Sequence, residues 1–75
     1  MLDQIRNIIS QYVEIDPSEI TEETNLIEDL GINSYDLVSM IAAVEEEFEI
    51  RIPDRAILRF VTVGDVIEFL ENSEE

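Results

Sequence analysis

The chain has 75 residues, 45% of them apolar, so we expect one compact domain over residues 1–75. Nineteen acidic residues against four basic ones give a net charge of −15, which disfavours binding to nucleic acid and to anionic membranes. Because cysteine and histidine are absent, disulfides, Cys/His zinc sites, thiol nucleophiles and imidazole bases are excluded.

The first predicted element is a helix over residues 2–14, followed by a long loop. The apolar residues that share one helix face are Leu2, Ile5, Ile8, Ile9, Tyr12 and Val13. Residues 15–33 show no sustained period, and long loops in small domains are uncommon unless they are functional or held by their own side chains. We expect this loop to be anchored by Ile15, Ile20, Leu26, Ile27, Leu30 and Ile32.

The second predicted helix is the longest and the most buried. Asn33 is a strong N-cap residue, and the segment after it contains no Gly or Pro before position 53. The apolar stripe of this helix consists of Leu37, Ile41, Val44 and Phe48.

Two further helices complete the prediction. Pro53 turns the chain, and Asp54 is expected to cap a short helix over residues 55–60. Thr62 and Asp65 form a capping-box-like pair, so the last helix should begin at Val63. The sequence thus predicts an all-α four-helix bundle with three long helices, a short third helix and a long loop after the first helix.

Ser34 is the candidate functional residue. It follows the cap residue Asn33, so it should lie in the first turn of the longest helix, where free backbone N–H groups and the positive helix end favour a phosphate group. Serine is also common at helix starts, so the local chemistry alone leaves open a purely structural role.

The segment Leu30-Gly31-Ile32-Asn33-Ser34 resembles the leucine-glycine-x-aspartate-serine signature of acyl carrier proteins. The later order of residues is also similar to this family, and the resemblance covers nearly the whole chain. The landmarks are Glu45-Glu46-Glu47-Phe48, Ile52-Pro53-Asp54 and Thr62-Val63.

The resemblance implies a single acyl carrier domain that is not an enzyme. In that family the serine, here Ser34, receives a covalent 4′-phosphopantetheine arm from coenzyme A, and the arm holds acyl groups as thioesters for fatty acid or polyketide-type enzymes. The implied partners are a phosphopantetheinyl transferase of the holo-acyl-carrier-protein synthase type, and acyl-transferring and condensing enzymes with basic patches. We expect a cytoplasmic monomer that binds neither nucleic acid nor membrane and shelters acyl chains between its second helix and residues 55–60.

By the same resemblance, the acidic second helix and its surroundings should be the surface that partner enzymes recognise. Asn33 stands where the family usually has aspartate, and Tyr35 where it usually has leucine. An exposed tyrosine there would be an apolar anchor for partners. The expected recognition residues are Asn33, Tyr35, Asp36, Glu45, Glu46 and Asp54, and an unusual cluster of Arg51, Arg55 and Arg59 surrounds the short third helix.

Two alternatives remain open at the level of the sequence. One is an aminoacyl or peptidyl carrier protein, although such carriers commonly have glycine-glycine-histidine before the serine, where this chain has Gly31-Ile32-Asn33. The other is an acidic helical interaction module that is never modified.

The charge balance predicts that added salt or divalent cations raise the melting temperature. Like charges on so small a body lie within the screening distance of about 10 Å at 0.1 M salt, so cations relieve their repulsion. Thermal unfolding followed by circular dichroism over a salt series checks this, and a flat or falling melting temperature would contradict it.

Overall fold

Four α-helices form the framework of the computed structural model, which describes residues 1–73. They are α1 (Leu2–Ser10), α2 (Ser34–Phe48), α3 (Asp54–Ile57) and α4 (Val63–Ser73), with one 3₁₀ turn at Pro17–Glu19. The predicted all-α fold class is confirmed. The end of the acidic tail, residues 74–75, lies outside the described residues.

The three longer helices bury their apolar stripes against one another. Ile9, Ile41 and Leu70 are among the side chains that are essentially inaccessible to solvent. Complete burial of such a side chain contributes roughly 1.5–3 kcal/mol, so these stripes supply the main driving force for folding. The buried residues of these helices are Ile5, Ile8, Ile9, Leu37, Met40, Ile41, Val44, Val63, Val66, Ile67 and Leu70.

Helix α1 is shorter than predicted, because it ends at Ser10 and not at Glu14. The chain tightens immediately afterwards: the N–H groups of Gln11 and Tyr12 bond to carbonyls three residues earlier, at 3.2 and 2.9 Å. Tyr12, which the periodicity places on the buried face, is 37% exposed as a result.

The loop between α1 and α2 is anchored largely as predicted. Four of its six expected anchors are buried, namely Ile20, Leu26, Leu30 and Ile32. Ile15 is half-buried, whereas the prediction for Ile27 is wrong, since that side chain is 47% exposed. Ile27 directly follows the fully buried Leu26 and points to the other side of a tight turn.

Backbone hydrogen bonds strap this loop to the segment that leads into α4. The Leu26 N–H donates to the Val61 carbonyl at 2.9 Å, and the Val63 N–H donates to the Thr24 carbonyl at 3.0 Å. The Gly64 N–H donates to the Glu22 carbonyl at 2.8 Å. The loop and the start of α4 are therefore held in a fixed relation over several residues.

The short third helix is also shifted from its predicted position. It covers Asp54–Ile57, and its N-cap is Pro53, so Asp54 is the first helical residue and not the cap. Residues 58–60 continue as a turn, in which the N–H groups of Arg59 and Phe60 bond to carbonyls three residues earlier. Pro53 has the φ of about −65° that proline imposes, here −69°, but its ψ of 153° is extended, so helical backbone begins only with Asp54.

Helix α4 begins at Val63 as predicted, with the expected reciprocal cap. The Asp65 N–H donates to Thr62 Oγ1 at 3.3 Å, and Asp65 Oδ2 accepts from the N–H groups of Thr62 at 3.0 Å and Val61 at 2.9 Å. The bonds from Val61 and Thr62 lower the pKa of the Asp65 carboxyl. This cap therefore stabilises the fold at and above the usual carboxyl pKa and is lost as the pH falls through the lowered value.

Among residues 1–73, no helix has both the length and the apolar character required to cross a membrane.

Gly64→Ala should destabilise the protein. An added Cβ would lie 2.9 Å from the Glu22 carbonyl oxygen, which is a backbone atom that already accepts the Gly64 N–H. The strap must then shift, and we expect a loss of about 1–3 kcal/mol in the free energy of unfolding, measured by urea denaturation. Gln4→Ala, at an exposed position of α1, is the control and should stay within about 0.5 kcal/mol of the wild type. Equal stability of Gly64→Ala and the wild type would contradict the close contact.

Candidate functional site

The site is built around the start of α2. Asn33 adopts an extended conformation, and its Oδ1 accepts from the Asp36 N–H at 2.7 Å. Its carbonyl accepts from the Leu37 N–H at 3.0 Å. Ser34 is therefore the first helical residue, and it is exposed.

The first turn of α2 retains unused hydrogen-bond donors. Within residues 1–73, the backbone N–H groups of Ser34 and Tyr35 have no acceptor, and the Ser34 hydroxyl makes no hydrogen bond. Such N–H groups at the positive end of a 15-residue helix form a favourable environment for an anion. The residues present therefore fit a phosphate ester on the Ser34 oxygen.

The segment before Ser34 is fixed by a compact turn. Asn25 Oδ1 accepts from the N–H groups of Ile27 at 2.9 Å and Glu28 at 2.8 Å, and Asp29 Oδ2 accepts from the Asn25 N–H at 2.8 Å. Gly31 then takes a φ of +67°, in the left-handed region that residues with a side chain disfavour. Among the described residues no atom would lie within 4 Å of an added Cβ, so the backbone conformation, and not a lack of space, favours glycine here. This turn redirects the chain so that Ile32 enters the core and Ser34 stays at the surface.

Exposed apolar side chains continue from Ser34 along α2. Tyr35 is 81% exposed and Val38 is 57% exposed, and Ala42 lies one turn further on the same side. Large apolar side chains that are this exposed on a small acidic protein are candidates for contact with a partner.

A groove of about 700 Å³ runs between α2 and α3. Its apolar lining begins at Val38, one helical turn from Ser34, and its rim carries acidic side chains and one arginine. The lining residues are Val38, Ile41, Ala42, Glu45, Glu46, Ile50, Arg51, Ile52, Pro53, Asp54 and Ile57.

The expectation that residues 55–60 line the space beside α2 holds only for Ile57. Arg55, Ala56, Arg59 and Phe60 instead line a second groove, of about 570 Å³, on the α4 side of α3. The backbone turns by about 100° per residue, so Ile57, two residues after Arg55, lies on the opposite side of the short helix.

The predicted recognition residues differ in how accessible they are. Tyr35, Glu46 and Asp54 are exposed, and Asn33 is exposed although its side chain is engaged in the cap. Asp36 and Glu45 are half-buried. Glu45 has an internal task, because its Oε2 accepts from the Ile52 N–H at 2.6 Å and so ties the α2–α3 connection to α2.

Two exposed apolar residues near α3 and α2 are not singled out by the sequence patterns. Leu58, at 85% exposure, falls within the predicted span of a helix that in fact ends one residue before it. Val38 adds to the apolar content of α2 without standing out as a surface residue. Its offset from the stripe of Leu37, Ile41 and Val44 is the signal that places it outside the core.

Comparison with known proteins gives consistent matches over nearly the whole chain. A family model described as "Phosphopantetheine attachment site" matches residues 3–70. The acyl carrier protein of Wolinella succinogenes is 36% identical over 74 residues, which are 99% of this chain and 97% of that protein. The acyl carrier protein of Phenylobacterium zucineum is 41% identical over 71 residues, covering 95% of this chain and 90% of that protein.

A solved structure is also similar. It belongs to a study of the high thermal stability of the acyl carrier protein from Enterococcus faecalis, and it matches with a TM-score of 0.81 and 25% identity. The match covers 95% of this chain and 90% of that chain.

Two replacements of Asn33 separate the contribution of its capping hydrogen bond from the effect of a charge at this position. Asn33→Ala removes the acceptor for the Asp36 N–H, and we expect a loss of about 1 kcal/mol in the free energy of unfolding. Asn33→Asp keeps the acceptor and places a negative charge at the positive helix end, so it should match the wild type within about 0.5 kcal/mol. Urea denaturation of both variants measures the free energy of unfolding. Equal destabilisation by the two would show that the capping hydrogen bond does not account for the loss.

Proposed function

This chain belongs to the acyl carrier protein family, and we propose that its 4′-phosphopantetheine arm is attached to the hydroxyl of Ser34. The observation that carries the proposal is the exposure of this hydroxyl in the first turn of α2, beside two N–H groups that have no acceptor within residues 1–73. The position also corresponds to the serine of the leucine-glycine-x-aspartate-serine signature.

Attachment requires that Ser34 be reached from outside and that its environment tolerate a phosphodiester. The Ser34 oxygen forms a new bond to phosphorus and gives its proton to a base or to solvent. The phosphorus–oxygen bond within the diphosphate of coenzyme A breaks, and adenosine 3′,5′-bisphosphate leaves. The free N–H groups of Ser34 and Tyr35 and the helix dipole favour the resulting negative charge. Asn33 contributes no charge here, and its role is to fix the first turn of α2 by accepting the Asp36 N–H.

The protein then serves as a carrier of acyl groups for fatty acid or polyketide-type biosynthesis. The arm supplies a terminal thiol that holds an acyl group as a thioester. The fold supplies position, because a tether from Ser34 keeps the acyl group at high effective concentration for an enzyme that is docked on α2. We propose that the chain itself performs no catalytic step, in line with relatives that are named as carriers.

Partner enzymes would dock on the exposed face that extends from Ser34 along α2 to α3. Tyr35 offers an aromatic anchor, and Glu46 and Asp54 offer negative charge to the basic patches of a phosphopantetheinyl transferase, an acyl-transferring enzyme or a condensing enzyme. Contacts of this type favour rapid association and rapid release. Glu45 acts mainly as a positioning residue through its bond to the Ile52 N–H.

The groove between α2 and α3 is the candidate shelter for an acyl chain. It begins within one turn of Ser34, and Val38, Ile41 and Ile57 give it an apolar wall. The volume of about 700 Å³ falls in the range of small-molecule sites, although its open mouth leaves much of any occupant in contact with water.

Cytoplasmic location and a monomeric state remain predictions.

Incubation with coenzyme A and a phosphopantetheinyl transferase should add one phosphopantetheinyl group to the wild-type chain. Ser34→Ala should gain nothing, because the accepting oxygen is absent. Intact-mass spectrometry with peptide mapping reads out the result.

The matched control is Ser39→Ala, which removes another serine from the same helix and should be modified fully. Modification of Ser34→Ala, or a wild-type chain that stays bare with a competent transferase, would overturn the assignment. The second outcome would revive the unmodified interaction module.

A further inference from the structure

Three of the four basic side chains of this acidic protein surround α3 and have no internal partner within residues 1–73. Arg51, Arg55 and Arg59 are exposed, and within the same residues their guanidinium groups make neither a hydrogen bond nor a salt bridge. Arg6 is different, because it donates to the Ile20 carbonyl at 2.8 Å and pairs with Asp3 at 3.2 Å. The chain thus leaves the arginines around α3 available although carboxylates are abundant.

Arg55 and Arg59 stand at the edge of the groove between α3 and α4. This groove has a volume of about 570 Å³ and an aromatic floor, in which Phe60 and Phe69 meet edge to face with ring centroids 5.9 Å apart. Phe69 is only half-buried, so part of an aromatic surface lies open beside two guanidinium groups. A cationic edge next to an apolar floor fits an anionic group that is carried close to an apolar side chain.

Asp65 and Glu68 lie on the opposite wall as carboxylates, but neither forms a salt bridge with Arg55 or Arg59 within residues 1–73. Asp65 is occupied by the N–H groups of Val61 and Thr62. The groove therefore keeps its arginines free for an external carboxylate.

The net charge of −15 does not prevent local recognition of an anion. At physiological ionic strength electrostatic interactions are screened over about 8 Å, so a group in contact with Arg55 and Arg59 senses chiefly its immediate neighbours. Approach from a distance still requires a partner whose surface is basic elsewhere.

We propose that Arg55 and Arg59 bind a carboxylate on a partner enzyme, and that an apolar side chain next to this carboxylate occupies the groove over Phe60 and Phe69. The inference rests on the proposed function, because the partner is an enzyme that visits the arm on Ser34. Guanidinium groups bind carboxylates in a bidentate manner, which gives direction as well as attraction.

Charge complementarity selects this occupant over a second copy of the chain or a free small anion. A second copy brings its own charge of −15, and a small anion has no basic surface to offset the repulsion. A partner enzyme can place a basic patch opposite Glu46 and Asp54 and a carboxylate opposite Arg55 and Arg59. Its surface is then complementary to both the negative and the positive groups of this chain. Such a pattern of two signs allows one docking orientation and rejects partners that are uniformly basic.

The sequence offers a direct test, because all four basic residues are arginine and the chain contains no lysine. Arg55→Lys and Arg59→Lys each introduce the only side-chain amine, which a zero-length carbodiimide can join to a carboxylate in contact with it. The probe is a purified condensing enzyme of fatty acid synthesis, mixed with the phosphopantetheinylated protein. Arg51→Lys, which lines the other groove, is the matched control. The wild type gives the background, which comes from its N-terminal amine and from enzyme lysines joined to carboxylates of this chain.

We expect amide cross-links from Arg55→Lys and Arg59→Lys to a carboxylate of the enzyme, mapped by mass spectrometry, and background levels for Arg51→Lys. In the double variant Arg55→Gln/Arg59→Gln, the KM of the condensing enzyme for the carrier protein should rise about tenfold at unchanged kcat. Arg51→Gln should change KM less than this.

Cross-links to carboxylates of the same chain, cross-links between two copies, or equal yields for all three lysine variants would each overturn the inference. Absence of any cross-link above background would do the same. If mass spectrometry shows no arm on Ser34 in the wild type, the proposed function fails first. If the arm is present and the cross-links are absent, only the role of Arg55 and Arg59 fails.

Discussion

The placement of Ser34 depends on how a long irregular loop is held against the helices. Between α1 and α2 the chain lacks a continuous helix to satisfy its backbone groups, and buried backbone groups must be paired. The structure solves this by pairing Leu26 with Val61, Thr24 with Val63, and Glu22 with Gly64 through backbone hydrogen bonds of 2.8–3.0 Å. The loop is thereby fixed to the start of α4, and the end of the loop delivers Asn33 to the start of α2.

The starts of the long helices α2 and α4 are predictable because single side chains determine them. Asn33 and the Thr62–Asp65 pair supply acceptors to free N–H groups, and the structure contains those bonds where the sequence indicates them. The end of α1 is not predictable in the same way. The apolar period continues through Tyr12 and Val13, and only the tertiary position of the following loop ends the helix at Ser10.

Local sequence patterns do not determine where α3 starts or which groove each of its side chains faces. Asp54 is a good cap residue in isolation, but Pro53 occupies the cap position and displaces it by one residue. Which of residues 55–60 faces α2 and which faces α4 depends on the packing of the whole bundle. The sequence locates the cluster of arginines near this helix, whereas only the structure separates Arg51, on the α2 side, from Arg55 and Arg59, on the α4 side.

Helix α3 is a partition that has a groove on either side. None of its own residues is buried, and it is held by its flanks, where Ile52 is 4% and Phe60 is 8% exposed. A short element with little buried surface is among the easiest parts of a fold to displace. A displacement of this wall would change the space on both of its sides at once. An acyl chain in the groove beside α2 and a partner side chain in the groove beside α4 would therefore meet the same short helix from opposite sides.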